Sequence, residues 1–124
     1  MTTDSILETV RGAVGLSVDD SSFDHELVMH INSALATLRQ NGVGFPIVVV
    51  DTTETWEQFR DPSQWQANEM FEQVKLFVFI KTKMMFDPPP PSIVNYMKDN
   101  VDELLWRLRE SYDRPTKDVK ISGI

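Results

Sequence analysis

The chain has 124 residues, of which 41% are hydrophobic and 25% charged, enough for one domain with its own core but too few for two, and too apolar for a disordered segment. It contains no cysteine, which excludes disulfides, thiolate nucleophiles and cysteine-ligated zinc. Its net charge of −7 lies in one half, with ten acids and three bases in residues 1–62 and nine of each in 63–124, an acidity that opposes tight binding of nucleic acid through its phosphates.

The opening MTTDSILETV has no basic cluster before an apolar stretch, so no secretory signal is expected. Ser5-Ile6-Leu7-Glu8 has the S-x-x-E spacing of a capping box, and Ile6, Val10, Ala13 and Val14 share a face of the helix that follows, with Gly15 as its stop. A polar loop, Asp19-Asp20-Ser21-Ser22, leads into a second helix from about Phe23 to Gln40, buried along Leu27, Ile31, Ala34, Leu35 and Leu38. Gly42 suits the left-handed position after that helix and puts Val43 where it can touch Leu38.

Residues 45–50, FPIVVV, are short and β-branched and predict a strand or extended segment. Thr55-Trp56-Glu57-Gln58 is a second capping-box pattern, predicting one or two helical turns before Asp61-Pro62. A third long helix is expected over about 68–86, with Met70, Phe71, Val74, Phe77, Val78 and Met85 at helical spacing. It is apolar nearly all round at 76–80, as a central helix would be. Neither apolar run, 45–50 or 76–80, approaches the roughly 20 residues needed to span a bilayer, so a soluble protein without a membrane partner is expected.

Pro88 to Pro91 cannot continue the third helix and are expected to form a stiff extended spacer. Ser92 then caps a last helix to about Arg109, with Ile93, Met97, Val101, Leu104, Leu105 and Leu108 as its stripe. The pattern breaks after Glu110, and Pro115 opposes continuation. A helical domain over 1–110 and an extended arm over 111–124 are expected. In the arm, Val119 and Ile121 alternate with polar residues, as in a strand that could add to a neighbour's edge at Ile47, Val48, Val49 and Val50. The fold class is therefore mainly α: a small bundle of about four to five helices, a short extended segment near 45–50, and an extended C-terminal tail.

His25-Glu26-Leu27-Val28-Met29-His30 is one residue too long for H-E-x-x-H. Histidines four apart stand about 40° apart around a helix, whereas five apart they stand about 140° apart and cannot share a metal. No phosphate-binding glycine loop or nucleophile elbow occurs, so no catalytic, cofactor or metal residue is assigned and no enzyme activity is expected. Trp56, Trp65 and Trp106 could each be core or anchor. Trp65 follows the polar stretch Asp61-Pro62-Ser63-Gln64, off every apolar stripe, and is the preferred anchor.

Three stretches, FDHELVMHINSALATLRQNGVG at 23–44, VKLFVFIKTKMMFDPPPPS at 74–92 and DELLWRLRE at 102–110, with TWEQF at 55–59 between them, resemble the head-to-tail connector proteins of tailed bacteriophages. The resemblance covers most of residues 4–110. It implies a helical structural subunit, without catalytic residues, that forms a ring, usually twelve-fold, beneath the portal protein. Such a ring carries neck or tail proteins and lets DNA pass without specific binding. It also implies synthesis in the host cytoplasm and a final place in the virion. The competing expectation is a small antitoxin-like regulator with a single partner.

Overall fold

A computed structural model describes residues 4–43, 48–59 and 71–123, with only the backbone at 59, 71 and 111–123. It is mainly helical: α1 is Ile6–Ala13, α2 Asp24–Gln40, α3 Phe71–Phe86 and α4 Pro91–Gly123, with a short 3-10 helix at Trp56–Phe59. No strand forms among the described residues.

The ends of α1 and α2 follow the local chemistry. Ser5 Oγ accepts the Glu8 N–H at 3.3 Å, capping the start of α1. After α1, Gly15 adopts φ +95°. There the Leu16 N–H donates to Arg11 C=O at 2.8 Å and the Gly15 N–H to Gly12 C=O at 3.1 Å, which is a full Schellman motif. The same motif closes α2: Gly42 has φ +80°, and the Val43 and Gly42 N–H groups donate to Leu38 and Arg39 C=O at 2.9 and 3.0 Å. Val43 is buried, as the hydrophobic contact of this motif requires.

Helix α3 is the centre of the bundle and packs against α1, α2 and α4. Val74, Phe77 and Val78 are fully buried on it, against Ile6 and Val10 of α1, Leu27, Ile31 and Leu35 of α2, and Leu104 and Leu108 of α4 in one core. Each such side chain contributes about 1.5–3 kcal/mol before entropy is counted. Met85, expected in the stripe, is exposed, and Phe86 instead meets Phe23 edge-on with ring centroids 5.4 Å apart. The expected start of α3 near 68 lies outside the described residues.

Two expectations for α4 are corrected. Pro91 is its first residue and Pro90 C=O accepts the Ile93 and Val94 N–H groups, so the spacer is Pro88 to Pro90 and Ser92 is not the cap. Proline suits this first position because its fixed φ is already helical and its missing N–H would have no partner there. Ile93 is 49% exposed, because the first turns of α4 project beyond the core that Val101, Leu104 and Leu108 enter. The backbone of α4 is helical to Gly123. A proline's φ fits a helix, so one inside it can bend the chain and forfeit a hydrogen bond without ending the helix.

Between α2 and α3 the chain is held by polar contacts. Asn32 of α2 bonds the backbone of Val49 in both directions, and Val49 is buried. Thr55 and Ser5 form an isolated antiparallel bridge, with the Trp56 N–H donating to Asp4 C=O and the Ile6 N–H to Glu54 C=O, at 3.1 and 3.0 Å. Trp56 thereby enters the core: fully buried, it donates its indole N–H to Thr9 Oγ1 at 2.8 Å and meets Phe79 edge-on at 5.8 Å. The capping pattern is realised as the Thr55 N–H donating to Gln58 Oε1 at 3.1 Å.

Candidate protein interfaces

Among the described residues no group of three or more histidines and carboxylates could hold a metal. His25 is exposed, and His30 lies 3.4 Å from Glu26, one turn earlier on α2. The fold lowers the pKa values of three carboxylates. Hydrogen bonds from Thr53 hold Asp51 down, and bonds from Ser22 hold Asp20 down. Glu54 is lowered first by the Val50 N–H, with the Asp51 N–H also donating to it, at 2.9 and 3.1 Å. All three are thus held ionised, the opposite of what a general acid needs. They fasten turns.

Among the described residues, the most shielded charge is also structural. Arg11, at the end of α1, has a side chain only 6% exposed. It forks onto Asp24 at the start of α2, with Nε to Oδ1 at 2.9 Å and Nη2 to Oδ2 at 2.6 Å, and its Nη1 donates to Val18 C=O at 2.6 Å. The bond to Asp24 raises the guanidinium's pKa above its ordinary value. It fixes the angle between α1 and α2 and the loop between them.

What remains for function is surface. The extended segment splits by alternation: Val49 turns into the core, while Val48 and Val50 are 58% and 70% exposed. Ile47 and Trp65 lie outside the described residues, and Val119 and Ile121 belong to the part of α4 described by its backbone alone. Trp106, open between core and anchor in the sequence, is a surface residue. It stands about 200° around the helix from Leu104, so the stripe already placed it on the outer face, and it is 59% exposed. Tyr96 is exposed on the same helix.

A groove of about 360 Å³ runs between α3 and α4, lined by Leu76, Ile80 and Leu104, with Gln73, Asn100, Glu103 and Arg107 at its polar margins. No single residue in the sequence announces it. It exists because Leu76, 46% exposed, lies beside the seam where α3 and α4 pack. An apolar groove with a few polar groups at its edge is suited to holding a protein segment, not to chemistry. No described helix is long and apolar enough to cross a membrane.

Comparison with known proteins matches residues 6–115 to the family model described as phage connector protein. No curated protein and no solved structure matches the chain.

Proposed function

The chain belongs to the phage connector protein family, a structural family, and we propose that it is one subunit of a ring at the head-to-tail junction. The ring docks on the portal protein and carries the next neck or tail proteins while the genome passes through its middle. The observation that carries this reading is the family match over 6–115, which takes in all of α1, α2 and α3 and most of α4. A helical body whose altered carboxylates are held ionised, and which exposes apolar side chains such as Val48, Val50, Leu76 and Trp106, supports a role in assembly. By the family resemblance the ring has twelve subunits and its place is the virion. Its acidic half would repel DNA phosphates and let the duplex slide.

Electron microscopy of portal-bearing heads incubated with the purified chain tests this reading. Added density forming a closed ring on the portal is the expected result, and heads that stay bare at saturating protein overturn it. Residues 111–124 serve this assembly and not the core, since Leu108 is the last buried residue before them. Truncation after Glu110 therefore leaves the melting temperature within about 3 °C of the full chain, a shift worth no more than roughly 1 kcal/mol, but weakens ring formation. Val119 and Ile121, with Trp65 and the segment Ile47, Val48, Val49 and Val50, remain the residues to vary individually.

A further inference from the structure

The segment Val48–Val50 has an inner and an outer edge. Its inner edge is satisfied, because Val49 exchanges both backbone bonds with Asn32. On its outer edge the Val50 N–H is taken by Glu54, but the Val48 N–H, Val48 C=O and Val50 C=O have no partner among the described residues. Two exposed valines flank these groups. This is an open backbone edge of three residues with apolar side chains, the kind of element that seeks a second surface.

The groove between α3 and α4 has the complementary features. Leu76, Ile80 and Leu104 give it an apolar wall, and Arg107 at its rim is more than half exposed. Gln73 lines one end, and its side-chain oxygen is buried without a hydrogen-bond partner among the described residues. Such an orphan is destabilising, and the broad terminal torsion of glutamine lets it turn toward a docked donor. A glutamine amide also both donates and accepts, as an extended backbone does.

We propose that this groove receives the Val48–Val50 segment of a second copy of the chain, resting on the connector reading above. Val48 and Val50 cover Leu76 and Ile80, the backbone of Val48 satisfies Gln73, and the exposed Asp51 comes beside Arg107. The exposed Asp51 gives the segment a negative end, and Arg107 of the groove, paired with Glu103 at 3.2 Å but more than half exposed, is the cation it would meet. The two surfaces lie on different elements, so the contact is heterologous: each copy offers its edge to one neighbour and its groove to the other. Repetition of such a contact closes a ring when the rotation between neighbours divides a full turn, as the connector reading requires.

The natural absence of cysteine makes the test direct. Val48→Cys and Leu76→Cys, both at exposed positions, are combined in one full-length chain, allowed to assemble on portal-bearing heads and oxidised. A ladder of covalently joined subunits, absent from either single variant, is the expected result. Decorated heads that yield no cross-link, or only a bond within one chain, overturn the pairing and leave the connector reading standing. Bare heads with the wild-type chain overturn that reading and the pairing with it. In the second variant, Gln73→Leu, the half-maximal concentration for assembly rises about three- to tenfold, the loss of one hydrogen bond, while the melting temperature is unchanged or higher. A lower melting temperature with unchanged assembly overturns the role given to Gln73.

Discussion

Asn32 and Val49 are joined by two hydrogen bonds 17 residues apart in sequence: the Asn32 Nδ2–H donates to Val49 C=O at 2.9 Å, and the Val49 N–H donates to Asn32 Oδ1 at 2.8 Å. One side-chain amide thus replaces the neighbouring strand that an isolated extended segment lacks. Val49 can enter the core without leaving its own backbone groups unpaired.

Asn32→Ala removes both bonds and should lower stability by about 2–3 kcal/mol, because buried backbone groups lose their partners. Asn32→Asp keeps the shape but sets a carboxylate against the Val49 carbonyl, and should be at least as damaging at neutral pH. Urea unfolding gives the magnitude, and hydrogen exchange at the Val49 amide gives the location. Protection of that amide unchanged in Asn32→Ala would show that the segment is held by something else.

Asp24→Asn should cost about 2–4 kcal/mol, since it leaves the Arg11 guanidinium buried without its carboxylate. Arg11→Met should cost less, because Asp24 is partly exposed and can be solvated while the methionine fills the space. The ordering of the two melting temperatures checks this, and equal losses would mean that the pair matters only as packing.

Gly42→Ala should cost about 1 kcal/mol. An added Cβ meets nothing within 4 Å, so the penalty comes from φ +80° alone. Val43→Ser should cost more, about 2 kcal/mol, because Val43 is buried in the main core and not merely set against Leu38. Thermal unfolding of both variants decides whether backbone conformation or burial dominates at this helix end.

Glu54, Asp51 and Asp20 all have lowered pKa values in the folded chain. Their contribution is complete above the unfolded values, about 4.3 for Glu and 3.9 for Asp. It is lost as pH falls through the lower folded values, so stability should decline on the acid side of that range. Glu54→Gln should be less stable than wild type at pH 7 and should lose less on acidification. Unfolding free energies at pH 7 and pH 3 test this, and parallel losses in the two proteins would assign the acid sensitivity elsewhere.

The helices and most of their ends follow from local sequence. A capping hydroxyl at Ser5, glycines at positions 15 and 42, and apolar residues three and four apart act within a turn or two of the chain, so their physics is local and readable. The buried residues on α2 follow from spacing alone, and so does the outward position of Trp106. The resemblance at 23–44, 74–92 and 102–110 identified the family, because residue order and spacing survive without any knowledge of contacts. The remaining features depend on distant partners. Whether 48–50 pairs with a strand or with one asparagine, whether Trp56 is anchor or core, and which ion pair ties α1 to α2 are set by how far apart the helices pack. The groove at Gln73 and Leu76 likewise arises from the gap between α3 and α4, and no periodicity along one chain encodes a distance between two helices.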